Sequence, residues 1–277
     1  MIGTELLRNA IPRLKDAGVE DAVRDARLLL AHAMGVAADR LTLHLAEDVS
    51  ADAVERFESL VDARVSRRPV SQILGTRMFW GRSFTVTGDV LDPRPETEIL
   101  VAAALQQPFA KMLDLGTGSG CILLSCLLDM PMAVGMGTDI SEAALEVARI
   151  NAALLGLGAR ASFQLGDWCQ GVRDRFDLIV SNPPYIAAHE MLGLTPEVRD
   201  WEPHLALTPG GDGLAAYRRI VTEASELLLS RGRLMVEIGP SQGRAVAAMF
   251  EAEGLQQVQI VKDFDDRDRV VRAIKSE

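Results

Sequence analysis

The chain has 277 residues, 48% hydrophobic and 25% charged, with 39 acidic against 29 basic side chains for a net charge of −10. That length can bury a full α/β core and leaves room for one smaller domain, and the composition is ordinary for a soluble globular protein. The acidic excess argues against an extended phosphate-binding face, and no apolar run approaches the roughly 20 residues of a membrane span.

The opening Met1-Ile2-Gly3-Thr4-Glu5 lacks a basic region followed by an apolar one, so a cytoplasmic protein is expected. Cys121, Cys126 and Cys169 lack metal-type spacing and are expected to pack as small apolar groups in a reducing compartment, with no metal site.

Residues 1–70 repeat apolar positions at helical spacing: Leu6, Leu7, Ile11 and Leu14, then Ala26, Leu29, Leu30 and Ala33, then Val54, Phe57, Leu60 and Val61. The pattern predicts a small helical domain. Arg64, Arg67 and Arg68 near its end read as a solvated face. Residues 71–92 are turn-rich, with Gly75, Gly81 and Gly88 around short alternating runs such as Ser83-Phe84-Thr85-Val86, and predict a β-hairpin linker. From 93 to 277 strand and helix alternate as βαβ units do, predicting a mainly parallel sheet with ligands at the carboxyl ends of the strands.

The first of those strands runs through Lys111-Met112-Leu113-Asp114-Leu115 into Gly116-Thr117-Gly118-Ser119-Gly120. Glycines there allow a sharp turn and a close approach to a ligand; a tight strand-to-helix turn alone would also use them. Cys121 stands where a dinucleotide fingerprint needs its third spaced glycine, which counts against a nicotinamide cofactor. Roughly 20 residues on, the next strand ends in Asp139, placed to accept from two ribose hydroxyls, or to cap the helix opened by Ser141. The strand Ala161–Leu165 ends in Gly166-Asp167-Trp168, where an acceptor for an exocyclic amine meets a flat apolar wall, a pair suited to adenine.

The run Phe176–Ser181 then delivers Asn182-Pro183-Pro184-Tyr185. An amide oxygen beside backbone carbonyls whose neighbouring N–H groups proline removes is a site that accepts from a planar NH2 group. A plain strand end followed by a Pro-Pro turn is the alternative. Beyond it come a helix over 214–229, a strand over 234–239, a helix over 242–253 and two terminal strands. Those two are joined by the turn Asp263-Phe264-Asp265-Asp266 and expected to be antiparallel.

Gly116 to Gly120, Asp139, Asp167-Trp168 and Asn182 to Tyr185, in this order, resemble an S-adenosylmethionine-dependent methyltransferase of the Rossmann-like class. With Phe79-Trp80-Gly81-Arg82, Pro93-Arg94-Pro95-Glu96-Thr97-Glu98, Glu202-Pro203-His204-Leu205-Ala206-Leu207 and Gly210-Gly211-Asp212-Gly213-Leu214, nearly the whole chain resembles the release-factor glutamine N5-methyltransferases. Small departures are Ser119 in the glycine loop and the Met- and Gly-rich strand before Asp139.

The resemblance implies an α/β fold: a Rossmann-like methyltransferase sheet with an antiparallel C-terminal strand, plus a small N-terminal helical domain joined by the hairpin. S-adenosyl-L-methionine is the implied cofactor, held by Gly116, Thr117, Gly118, Ser119, Gly120, Asp139, Asp167, Trp168 and Asn182. Asn182, Pro183, Pro184 and Tyr185 are the implied catalytic group. The implied substrate is the glutamine of the Gly-Gly-Gln loop of class 1 peptide chain release factors, with residues 1–70 docking that protein and no direct binding of nucleic acid or membrane.

An adenine N6 or cytosine N4 amino-methyltransferase is the alternative enzyme, because those bases present the same NH2 donors; a non-catalytic nucleotide-binding module on the same fold is the third reading. The acidic charge disfavours the second, and the intact Asn182 to Tyr185 disfavours the third.

Overall fold

The computed structural model describes all residues from Met1 to Glu277. They divide into two compact units, Met1–Thr76 with Thr195–Trp201, and Arg77–Leu194 with Glu202–Glu277.

The first unit is helical: α1 (Gly3–Asp16), α2 (Ala22–Met34), α3 (Leu41–His44), α4 (Ala51–Val65) and α5 (Val70–Leu74). Its core is built from the residues of the helical repeat, with Leu6, Leu14, Leu29, Leu30, Phe57 and Val61 all fully buried. Local signals set the ends. Ser50 caps α4 by accepting from Ala53 N, and Gly35 stops α2 in the left-handed region at φ 67°.

The arginine cluster is not the solvated face that its spacing predicts. Arg64 is buried between Asp25 (2.8 Å) and Glu197 (2.9 Å), Arg67 reaches both oxygens of Glu197 at 2.6 Å, and Arg68 stacks over Trp201 at 5.7 Å. Gln72 Nε2 donates to Trp201 O, and Trp201 Nε1 donates to Ser66 O. The segment Thr195–Trp201 is thus anchored by charge and by backbone carbonyls.

The second unit begins at Arg77, within the hairpin of β1 (Thr76–Phe79) and β2 (Arg82–Thr85), turned by Trp80 and Gly81, both at positive φ. After it come α6 (Glu98–Leu105), β3 (Lys111–Leu115), α7 (Cys121–Asp129), β4 (Val134–Asp139), α8 (Glu142–Leu154), β5 (Ala161–Leu165) and β6 (Phe176–Ser181). The short helix α9 (Pro196–Trp201) lies in the segment assigned to the first unit. The chain then continues through α10 (His204–Leu207), α11 (Ala215–Leu227), β7 (Leu228–Glu237), α12 (Gly243–Ala252), β8 (Gln256–Lys262) and β9 (Asp268–Ile274).

Seven strands form one sheet in the order β5-β4-β3-β6-β7-β9-β8, parallel except for β9, which runs antiparallel to both neighbours. This is the Rossmann-like methyltransferase arrangement that the resemblance implies. Alternate side chains serve opposite layers: Met112, Leu178, Val180 and Met235 join the core under α6 and α7, whereas Leu113, Ile179, Leu234 and Val236 join the core under α11 and α12. Helix α11 ends at Leu227, two residues before its apolar spacing predicts, because Leu228 is already paired with Phe176 as the first rung of β7.

Strand order reverses between β3 and β6, which makes the crevice beyond their carboxyl ends the natural ligand site. Register brings the motifs to one level. Leu115 pairs with both Thr138 and Ser181, and Ser181 with Val236. Gly116, Asp139, Asn182 and Glu237 therefore each follow directly on the same rung.

Candidate active site

A cavity of about 450 Å³ opens over that level, within the usual range for cofactor pockets. Gly116, Thr117, Gly118, Ser119, Asp139, Asp167, Trp168, Asn182 and Pro184 all stand on its wall; Gly120, Pro183 and Tyr185 do not. A broader depression of about 520 Å³ on the helical unit, edged by Lys15, Glu20 and Arg24, carries none of the motif residues.

Gly116, Gly118 and Gly120 all have left-handed backbones, at φ 69°, 54° and 78°, a region that side chains strain. Their uses differ. Gly118 has open space where a side chain would stand, and its N–H donates to Asp139 Oδ2 at 2.9 Å. A Cβ on Gly116 would touch the Trp168 ring at 3.4 Å, so the indole lies along the loop. A Cβ on Gly120 would press on Leu124 and Ala148, which makes the third glycine a packing requirement between α7 and α8.

The loop is held from beneath by two groups that its motif does not include, Asp114 and Asn151. Thr117 Oγ1 donates to Asp114 Oδ2 at 2.7 Å, and Asp114 is fully buried with its other oxygen unpartnered. Burial pushes that carboxyl up to about 7, against the lowering effect of the Thr117 bond. Asn151 of α8, also buried, donates to Ser119 O at 2.9 Å and Thr85 O at 3.0 Å and accepts from Thr85 N, tying the loop to β2. A carboxylate in an apolar strand and an asparagine inside a helix were the available signals.

Asp139 accepts from Gly118 N and from Ser141 N, while Ser141 itself caps α8 through Ala144 N. The carboxylate therefore faces the cavity and does not serve as the helix cap. Burial raises its pKa despite the N–H groups of Ser141 and Gly118. Trp168 sits at φ 56° with its carbonyl held by Thr138 Oγ1. Asp167 pairs with Arg219 of α11 at 2.7 Å, and Arg219 shares the cavity wall. That arginine, 52 residues away, is a further member of the site.

Asn182 donates from Nδ2 to Thr97 Oγ1 at 3.2 Å. Pro93, Arg94 and Thr97 line the cavity beside it, which brings the Pro93–Glu98 stretch to the site. Arg94 is paired at 2.5 Å with Glu202, whose buried carboxyl keeps one unpartnered oxygen and is pushed by burial up to about 7. Tyr185 packs into the core under α11, and its carbonyl accepts from Gln242 Nε2. Gly213 makes that seat available, because a Cβ there would overlap Tyr185 O and crowd Gln242.

Residues 5–75 match the PrmC N-terminal domain, and residues 89–198 match the Methyltransferase small domain. The release factor glutamine methyltransferase of Cereibacter sphaeroides is 57% identical over 273 residues, 99% of this chain and 98% of that protein. This chain belongs to the release factor glutamine methyltransferase family.

Among solved structures, a methyltransferase from Pyrococcus furiosus aligns with a TM-score of 0.55 at 17% identity, over 70% of this chain and 89% of that one. The T. thermophilus 16S rRNA N2 G1207 methyltransferase, in complex with AdoMet and guanosine, aligns with a TM-score of 0.51 at 18% identity, over 72% and 49%. At those identities the likeness is one of fold. Family membership makes this chain a methyltransferase with a methyl donor of the S-adenosylmethionine type, and no helix is long and apolar enough to cross a membrane.

Proposed function

We propose that this chain transfers a methyl group from S-adenosyl-L-methionine to the side-chain amide nitrogen, N5, of the glutamine in the Gly-Gly-Gln loop of class 1 peptide chain release factors, in the cytoplasm. The observation that carries the reading is Asn182, which ends a central strand on the wall of the cavity with its Nδ2 already committed to Thr97. Its Oδ1 is left to accept from an NH2 group.

The donor set fits the cofactor. The glycine loop from Gly116 to Gly120 suits the methionine portion, Asp139 the ribose hydroxyls, and Asp167 with Trp168 the adenine. S-adenosylmethionine, when bound, supplies an electrophilic sulfonium methyl. A carboxamide nitrogen is a weak nucleophile because its lone pair is delocalised into the carbonyl, so the protein must aim it and stabilise the charge that it gains. Asn182 Oδ1, on the cavity wall, accepts one of its N–H groups, and that bond strengthens as positive charge builds on nitrogen. No general base is needed beforehand, since the nitrogen becomes acidic only as the methyl arrives. In-line orientation supplies much of the remaining rate.

Residues 1–70 dock the release factor in this reading, with 71–92 linking them to the methyltransferase domain at 93–277. The separate family match over residues 5–75 supports a dedicated role for that part of the chain. Purified protein, S-adenosylmethionine and release factor should yield a Gly-Gly-Gln peptide heavier by one methyl, located on the glutamine by fragmentation. Methyl transfer to duplex DNA or RNA offered in parallel, with the release factor left unmodified, would overturn the reading.

A further inference from the structure

The catalytic cavity opens beyond the carboxyl ends of the parallel strands. A second cavity, of about 210 Å³, lies toward their amino ends, where Leu178 near the start of β6 pairs with Arg233. Gln106 and Gln107 just past α6, Arg233 and Met235 of β7, Gln259 of β8 and Arg272 of β9 stand on its wall. Strand register puts the last four on one face. Met235 belongs to the core under α6, Arg233 precedes it by two residues, and direct partners follow across the sheet, Met235 with Arg272 and Arg272 with Gln259.

The cavity is rich in donors and poor in negative charge. No acidic residue lines it. Arg233, only 6% exposed, donates to the carbonyls of Ala104 and Gln107 at the end of α6, at 3.1 and 2.9 Å. A helix end offers at most roughly half a negative charge. Arg272 donates from Nε and Nη2 to Gln259 Oε1 and from Nη1 to Gln106 Oε1. The partners of both guanidiniums are thus neutral oxygens. Burial, and after it Arg272, lower the Arg233 pKa, and Asp177 offsets them only in part, its Oδ2 already accepting from Ala110 N and Lys111 N.

Proton counting orients the two glutamines. A guanidinium can only donate, so Gln106 and Gln259 must turn Oε1 to Arg272 and keep their NH2 groups for another partner. Guanidinium and amide donors therefore converge from three strands and a helix end. A carboxylate offers its acceptors in one plane, whereas a tetrahedral oxyanion offers them in several directions and suits donors that come from both sides of a cleft. At about 30 Å³ per water the volume holds roughly seven waters, room for such an ion with part of its hydration shell.

We infer that this cleft is a binding site for a small oxyanion of the phosphate type, held between Arg233, Arg272 and the amide NH2 groups of Gln106 and Gln259, and separate from the catalytic cavity.

A bound ion would neutralise two arginines in a chain that otherwise carries an acidic excess, and would fasten the end of α6 to β7, β8 and β9. Its effect should therefore be read in stability and not in catalysis.

The test is calorimetric titration of inorganic phosphate into the full chain at constant ionic strength and about pH 8, where phosphate is mainly a dianion. S-adenosylmethionine saturates the catalytic cavity throughout, so that phosphate is not read there. Wild type is compared with Arg272→Met and Gln259→Glu. Wild type should bind phosphate saturably, and its unfolding temperature should rise with phosphate but not with chloride at the same ionic strength. Arg272→Met should weaken binding roughly 10-fold or more through loss of charge-assisted bonds. Gln259→Glu sets a carboxylate beside Arg272, which should abolish phosphate binding and raise the unfolding temperature without phosphate. Both variants should keep wild-type affinity for S-adenosylmethionine, which reports that they are folded.

No saturable phosphate binding by wild type, or undiminished binding in the variants, would overturn the inference. If Arg272→Met fails to fold, Gln259→Glu decides by the same two readouts.

Discussion

Gly116 and Asn182 stand at the same level of the sheet, each one residue beyond the paired Leu115 and Ser181, on the two strands between which the strand order reverses. A glycine loop that suits a methyl donor and an amide that suits a methyl acceptor are thereby brought together by strand register alone. The separation of Gly116 from Asn182 is set by the spacing of neighbouring strands.

Asp139→Ala should weaken S-adenosylmethionine binding roughly 10- to 150-fold, the equivalent of about 1.5–3 kcal/mol for a hydrogen bond to a charged group. The same change releases Gly118 N from its partner. Calorimetric titration with unchanged affinity would contradict the ribose assignment.

Asn182→Ala should separate binding from chemistry. Turnover is expected to fall about 100-fold or more, as for other preorganised hydrogen bonds that strengthen in a transition state, with most cofactor affinity kept. A near wild-type single-turnover rate would sink the acceptor role.

Gly213→Ala tests the seat of Tyr185. The substitution places a Cβ against Tyr185 O at a backbone φ of 76°, which should cost roughly 1–3 kcal/mol of stability and displace the loop that carries Asn182. Thermal unfolding together with kcat would show both losses, and a variant as stable and active as wild type would refute the packing argument.

Stability should fall between about pH 4 and 7 because of the buried carboxyls. Asp114, Glu202 and Glu237 are each raised to about 7, chiefly by burial. A folded pKa above the unfolded one means that the native state holds the proton more tightly. The stabilising contribution is complete below the unfolded value and is lost as pH climbs through about 7. Asp114→Asn cannot ionise, so denaturant titrations should show it losing less stability than wild type over that interval. Parallel slopes for the two proteins would contradict the burial argument.

Intact release factor should be a far better substrate than a short Gly-Gly-Gln peptide, with the difference in kcat/KM. Equal values for the two would remove the need for docking by residues 1–70.

The motifs were legible because each lies at a strand end, where period-two apolar runs stop and polar residues begin. Gly116, Asp139, Asp167 and Asn182 could all be picked out without knowing which strands are neighbours. Thr97, Asn151 and Arg219 could not, since each acquires its place from a partner far away in sequence: Asn182 meets Thr97 across 85 residues, Asn151 meets Thr85 across 66, and Arg219 meets Asp167 across 52. The same distance misled the reading of Arg64, Arg67 and Arg68. A run of arginines looks solvated until Glu197, 130 residues beyond Arg67, is found beside it.

That glutamate belongs to a stretch with a further consequence. The chain leaves the methyltransferase unit after Leu194, folds through Thr195–Trp201 as part of the helical unit, and returns at Glu202, which pairs with Arg94 beside the cavity. The helical unit is therefore discontinuous, and no single cut separates the two. Deleting residues 1–70 would strand Glu197 and Trp201 without Arg64, Arg67, Arg68 and Ser66, in the middle of the loop that joins Tyr185 to Glu202. A separable catalytic fragment calls for two operations, removal of the amino-terminal helices and a short graft closing Leu194 onto Glu202. Exchange of the helical unit between relatives would likewise have to carry both pieces together.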